Sequence, residues 1–241
     1  MKIATFTSGG KGGTGKTTLS SLLILGMSKS GIRTLLIDAS SEGGASRLLL
    51  GNPEPPYLRD VFDGKTRLGD AIGLFEITNY CEFYMLPNIG VLPRVDLREF
   101  FLELRRFGKF FDLVIVDLPA FQDSWYHGFS LNSDIVVKVA EPNHSSFAAC
   151  LQSPPENGNI VYVLNQPRIY PPSVTRKYRE NLEAKTGSEV LVFPYEPAVT
   201  ILNPSNAEKV LSKISPKFQD SLLKLGFRLA KPKTVKIYEY G

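Results

Sequence analysis

Three groups of residues in this 241-residue chain have the types and spacing to do chemistry. The first is the run Gly10-Lys11-Gly12-Gly13-Thr14-Gly15-Lys16-Thr17, which fits G-x-x-x-x-G-K-[ST]. Glycines in such a loop let backbone N–H groups converge on phosphate oxygens, and a helix N-terminus behind them adds partial positive charge. Lys16 would then reach the β- and γ-phosphates of a nucleotide, and Thr17 would hold Mg²⁺. A glycine-rich turn without a ligand is the plain alternative. The second is Asp117, which closes Leu113-Val114-Ile115-Val116 and is the natural carboxylate to order Mg²⁺ through water. The third is basic. From Ile201 to Gly241 there are eight Lys/Arg (Lys209, Lys213, Lys217, Lys224, Arg228, Lys231, Lys233, Lys236) against three acids. Arg168, Arg176, Lys177 and Arg179 form another cluster. Such patches suit phosphate contact without sequence readout, while solvated helix faces are the bland alternative.

These residues need particular elements to hold them. Ile3 to Thr7 reads as a strand leading into the glycine loop. A helix follows from about Lys16, with Leu19, Leu22, Leu23, Gly26 and Met27 on one face, and Gly31 suits its stop. Thr34 to Asp38 and Leu113 to Asp117 are buried strands that each end in a carboxylate. Further strands are expected at Phe83–Leu86, Asp134–Ala140, Ile160–Leu164 and Val190–Phe193. Helices are expected at Asp96–Arg106, Arg176–Lys185, Ala207–Ile214 and Pro216–Leu229, with Asp96 as N-cap or first-turn acid. Strands that are apolar throughout, alternating with helices, imply an α/β fold whose mostly parallel sheet carries helices on both faces. Ligands of such sheets bind outside the carboxyl ends of the strands, where the loop and both acids fall. The stretch from Gly51 to Gly73, rich in Pro, Gly and charge, reads as a surface excursion. We expect one domain over 1–241, with about 205–241 as its basic helical extension.

Composition agrees with a soluble globular chain: 43% apolar, 22% charged, net charge +4. That charge is too small to prove a nucleic-acid partner by itself. Cys81 and Cys150 match no metal-ligand spacing and read as buried free thiols of a reducing compartment. Met1 to Phe6 is too short an apolar run for a signal peptide, and no stretch of 18 apolar residues occurs. The expected location is cytoplasmic.

Lys11 adds a second lysine to the loop, and Ser8-Gly9-Gly10-Lys11-Gly12-Gly13-Thr14-Gly15-Lys16-Thr17-Thr18 resembles the deviant Walker A of the ParA/MinD family of P-loop ATPases. Leu35 to Asp38 with Glu42-Gly43-Gly44-Ala45-Ser46 is similar to the family's switch I, and Phe111 to Ala120 to its Walker B and switch II. Val139-Ala140-Glu141-Pro142-Asn143 resembles a later strand-loop, and Val163-Leu164-Asn165 and Phe193 to Pro197 resemble the adenine-binding corners. The resemblance fades beyond about Pro204. It implies ATP with Mg²⁺ as cofactors, Asp38 beside Thr17 and Asp117 at the metal, and two ATP-bound monomers in a sandwich. Lys11 would cross to the partner's phosphates, rewarding dimerisation only when triphosphate is present. Asn165 would bond the adenine edge, with Pro194 packed on the ring.

One departure concerns turnover. The family usually carries a water-orienting acid two residues after the switch I Asp, and Asp38-Ala39-Ser40 has a serine there. Ser40 is a poor base, so basal hydrolysis should be slow unless Glu42 or Asp123 replaces it. Without a C-x-x-C pair the iron–sulfur carriers are excluded and the nitrogenase-type reductases disfavoured. Pro232 and the β-branched residues of the C-terminus disfavour an amphipathic membrane helix. The expected function is an ATP-dependent dimerising switch of DNA partitioning. Its expected partners are non-specific DNA, with nucleoid association, and a centromere-binding activator protein. A non-DNA member of the family, either a small-molecule ligase or a regulatory pseudo-ATPase, is the alternative.

Overall fold

A computed structural model describes residues 1–78, 81–121, 123–152 and 159–230. Lys231, Lys233 and Lys236, with the C-terminal segment read above, lie outside the described residues.

The chain runs β1 (Lys2–Thr7), α1 (Lys16–Lys29), β2 (Thr34–Asp38), α2 (Gly44–Leu50), α3 (Leu58–Phe62), α4 (Leu68–Ala71), β3 (Gly73–Thr78) and β4 (Cys81–Leu86). It continues through α5 (Leu97–Arg105), β5 (Leu113–Asp117), α6 (His127–Asn132), β6 (Ile135–Ala140), α7 (His144–Gln152) and β7 (Asn159–Asn165). It closes with α8 (Pro172–Thr186), β8 (Val190–Phe193), α9 (Ala207–Lys213) and α10 (Pro216–Leu229).

The eight strands form one sheet in the order β3-β4-β2-β5-β1-β6-β7-β8. Every neighbouring pair is parallel except β3 with β4. Alternate residues of each central strand face opposite layers, and both layers are apolar. Ala4, Phe6, Leu113 and Ile115 pack under α1, α2, α9 and α10, whereas Ile3, Val114 and Val116 pack against the α3 to α6 side. Period-2 alternation with no polar face is why these strands read as continuous apolar runs.

The expected single apolar face of α1 is corrected. Residues 19–25 and Met27 are buried all round, because α1 lies between the sheet, α2 and α10. Its stop agrees with the glycine reading: Ser30 is the C-cap and Gly31 follows at φ 71°. The expectation of a surface excursion over 51–73 is also corrected. Leu58 and Leu68 are fully buried and fasten the short α3 and α4 to the second core. β1 sits at the switch point of the sheet: the chain leaves it toward β2 on one side, and later returns to β6 on the other. A crevice therefore opens at the carboxyl end of β1, flanked by the ends of β5 and β6.

Candidate nucleotide and magnesium site

The loop from Ser8 to Gly15 fills that crevice. Ser8 fastens it, its Oγ donating to the Lys11 carbonyl at 2.6 Å while Lys11 N donates to Ser8 O. Gly15 stands at φ 78°, a conformation that favours glycine, and a Cβ there would meet the side-chain amide of Asn165. Gly12 and Gly13 are exposed at the mouth, with Thr14 buried beneath. This is a cradle whose backbone is bare enough to approach phosphate.

β2 and β5 place two carboxylates side by side, since Asp38 and Asp117 are register partners at the strand ends. Both are fully buried. Lys16 Nζ is 3.1 Å from Asp117 Oδ1 and also donates to the Leu118 carbonyl. Thr17 Oγ1 donates to Asp117 Oδ2 at 2.8 Å. Asp38 accepts from Ser46 N at 2.8 Å, Ser46 Oγ at 2.7 Å and Ser40 N at 2.8 Å. Burial, and then the neighbouring Asp117 carboxylate, push Asp38 up to about 7, against the pull of those three hydrogen bonds. The hard oxygens of Thr17, Asp38 and Asp117 fit Mg²⁺. Among the described residues no cluster of three or more His, Cys, Asp or Glu could hold a metal alone. Phosphate oxygens and water would therefore complete its shell, which is the usual habit of Mg²⁺ with nucleotides.

The other predicted residues fall at varied distances from this centre. A Cβ on Gly44 would stand 3.6 Å from Thr17 Cγ2 and 3.7 Å from Ser40 Oγ, so Ser40 and Thr17 approach Gly44 together. Ser40 Oγ accepts from Glu42 N at 3.3 Å, while Glu42 itself is exposed. Asp123 is held by Arg94 at 2.7 Å and by Trp125 N at 2.9 Å, which keeps its carboxyl below the usual range. Lys11 is exposed, and Thr18 is partly buried. Asn165 Nδ2 donates to the Thr14 carbonyl at 2.7 Å, bracing the loop from β7. Pro194 follows β8, whose Phe193 is the register partner of Asn165.

The basic residues separate into two groups. Arg168 binds the buried Glu141 at 2.8 Å, Lys224 binds Asp220 at 2.8 Å, and Arg228 pairs with Glu189. Those three are ion-paired rather than open cations. Arg176, Lys177, Lys209, Lys213 and Lys217 are exposed on α8, α9 and the start of α10.

Sequence reasoning gave no role to Asn88, Glu141 or Glu196. Asn88 is fully buried and bonds both flanks of the loop after β2. Glu141, at the end of β6, also accepts from Tyr170 at 2.6 Å and Asn143 at 3.2 Å. Glu196 caps the turn after β8 through Ala198 N and accepts from Ser215 N at 2.7 Å. A polar residue just after an apolar strand was the signal available for the first two.

Among the described residues no helix is long and apolar enough to cross a membrane. A family model described as the CobQ/CobB/MinD/ParA nucleotide binding domain matches residues 5–231. An uncharacterised ATP-binding protein of Methanocaldococcus jannaschii is 40% identical over 73 residues, a stretch that spans 30% of this chain and 28% of that protein. Among solved structures, the septum site-determining protein MinD of Pyrococcus horikoshii, complexed with Mg-ADP, superposes with TM-score 0.71 at 23% identity, covering 95% of this chain and 96% of that one. The MinC:MinD cell division complex of Aquifex aeolicus gives 0.71 and 23% over 93% and 95%. A ParA family ATPase of Chlorobium tepidum gives 0.68 and 19% over 94% and 97%. The chain belongs to the CobQ/CobB/MinD/ParA nucleotide-binding family.

Proposed function

We propose that this family member is an ATP-dependent dimerising switch that acts in DNA partitioning, with slow intrinsic hydrolysis. The observation that carries the nucleotide reading is the convergence of Lys16, Thr17, Asp38 and Asp117 beneath a glycine cradle. Lys16 leaves Asp117 to bind the β- and γ-phosphates, and Thr17, Asp38 and Asp117 hold Mg²⁺. Bound Mg²⁺ neutralises charge on the phosphate oxygens. Asn165, already tied to the loop, meets the adenine edge, and Pro194 packs on the ring.

Lys11 supports the dimer reading, because it is exposed on a fastened loop beside the cradle mouth. A cation there is free to reach a second copy's phosphates. Slow turnover follows from Ser40, since Asp123 is engaged by Arg94 and Glu42 is solvated. DNA contact is assigned to the exposed lysines of α9 and the start of α10, with Arg176 and Lys177 as a second patch. A centromere-binding activator completes the cycle by accelerating hydrolysis.

A mobility shift on random duplex DNA tests the whole reading. With ATP and Mg²⁺ the protein should retard DNA, and with ADP it should not. Lys11→Ala should bind nucleotide yet stay monomeric in light scattering and fail to shift. Nucleotide-independent retardation, or none at all with ATP bound, sinks the DNA assignment in favour of a non-DNA member of the family.

A further inference from the structure

Asn88 follows β4 and is fully buried, and it lies outside the loops that carry the phosphate and metal residues. Its polar groups are nonetheless spent on the segment joining Asp38 to Ser46. Asn88 Nδ2 donates to the Ser40 carbonyl at 2.8 Å and to the Gly90 carbonyl at 3.0 Å. Asn88 N donates to Ser46 Oγ at 2.9 Å, and that hydroxyl donates in turn to Asp38 Oδ2 at 2.7 Å. The backbone N–H thus fixes which way the Ser46 proton points, namely at the carboxylate. Asn88 Oδ1 accepts from Arg59 N, the first turn of α3, at 3.1 Å. Gly90 N adds a bond to the Ser41 carbonyl at 2.7 Å. The approach is close: Gly43 stands at φ 71°, and a Cβ on it would lie 3.0 Å from the Asn88 carbonyl oxygen.

We propose that Asn88 is a positioning residue for the magnesium site, clamping the loop after β2 so that Asp38 and Ser40 face the metal and the attacking water before nucleotide arrives. This rests on the magnesium–nucleotide reading of the site. The five-residue loop 39–43, which starts beside Asp38 and carries the Ser40 hydroxyl, must otherwise be ordered on binding, at a cost in backbone entropy. The Asn88 amide grips this loop at Ser40 while its own backbone N–H orients Ser46, the hydroxyl partner of Asp38. Groups that orient a metal ligand from behind typically change metal affinity or activity by about 10–100-fold when removed. The phosphate cradle makes no bond to Asn88, so magnesium-free nucleotide binding is insulated from it.

The test measures affinity for a non-hydrolysable ATP analogue by calorimetry, in EDTA and in excess Mg²⁺. The proteins are the unsubstituted chain, Asn88→Ala and Asn88→Asp. Asn88→Asp keeps the acceptor for Arg59 N but loses both donated bonds, so it separates the cap on α3 from the grip on the loop. The expected result is EDTA affinity within about twofold of the unsubstituted protein and a magnesium-dependent gain reduced about tenfold or more in both variants. A full magnesium gain in either variant overturns the proposal alone. Equal loss in EDTA and in Mg²⁺, or failure of both variants to fold by thermal melting, assigns Asn88 to general packing and also overturns it. If the unsubstituted protein itself gains nothing from Mg²⁺, the reading of the site falls with it.

Discussion

Burial beside a second carboxylate brings Asp38 up to about 7, and this gives the protein a pH dependence of unusual sign. Its folded value of about 7 exceeds the ordinary 3.8. Between those values the folded chain keeps a proton that the unfolded chain has lost. Stability from this group therefore falls as pH rises through the window, the reverse of an ordinary ion-paired Asp. Asp96, Asp123 and Glu196 are shifted downward from 3.8, 3.8 and 4.5, so they act on the acid side of the melts described next. Thermal melts in EDTA from pH 5 to 8 should show a declining Tm, with a flatter profile in Asp38→Asn. Parallel profiles for the two proteins would count against the buried acid pair. Mg²⁺ demands the ionised form, so Mg²⁺-nucleotide affinity should rise from pH 5.5 and level off above about 7. Ser40 carries a second prediction at this scale. With Asp123 locked to Arg94, restoring an acid by Ser40→Asp should raise kcat about tenfold or more, with little change in nucleotide affinity. A single-turnover assay decides it, and loss of rate in Glu42→Ala instead would give that acid the task. The loop and Lys16 were legible in the sequence because a spacing motif encodes them, and Asp117 because it closes an apolar strand. Asn88 was not, since its hydrogen bonds join three chain segments that only the fold brings together.

The elements that were easy to read are those whose burial is uniform. β1, β2, β5, β6 and β7 are apolar on both faces, and long α10 alternates buried Leu222, Leu225 and Leu229 with exposed Lys224 and Arg228. Several short elements escaped. α2, α6 and α7, of seven, six and nine residues, offer few turns for a period to emerge, whereas the nine-residue α5 has Asp96 as its N-cap and an apolar stripe of Leu97, Phe100, Phe101 and Leu104. Edge strand β3 runs antiparallel and leaves Leu74 half exposed, so it lacks the all-apolar signature. Buried Leu58 and Leu68 were hidden in helices of five and four residues amid prolines and charge. The all-round burial of α1 has an energetic consequence. Ser21 Oγ is buried with no hydrogen-bond partner among the described residues. An unpaired buried hydroxyl costs about 1–3 kcal/mol, and alanine is the better helix former. Ser21→Ala should therefore stabilise the protein by about 1 kcal/mol and raise Tm by about 2–4 °C. A lowered Tm in differential scanning calorimetry would mean the hydroxyl is satisfied in solution.

At the scale of the whole molecule, charge decides whether nucleic acid can be a partner. The net charge of +4 is modest, and part of the basic excess is spent internally on Glu141, Asp220 and Glu189. Among the described residues of the C-terminal stretch, Lys209 and Lys213, one turn apart on α9, and Lys217 at the start of α10 are exposed. Three cations per protomer give weak attraction for a monomer. A dimer presents two such sets on one rigid body, so nucleotide-driven association would convert a weak contact into a useful one without any movement of the lysines. Counterion release makes this measurable, because each neutralised phosphate contributes about 0.9 to the slope of log K against log salt. Changing all three lysines to alanine should lower that slope by roughly three if one protomer engages DNA, and by roughly five if both do. Lys224→Ala and Arg228→Ala, whose partners are acids of the same chain, should leave it nearly unchanged. Titrating fluorescent duplex DNA with the ATP-bound protein between 50 and 200 mM salt reads out both. A slope that follows Lys224 and Arg228 instead would move the DNA face to the far end of α10, and a slope near zero for the unsubstituted protein would remove DNA from its partners.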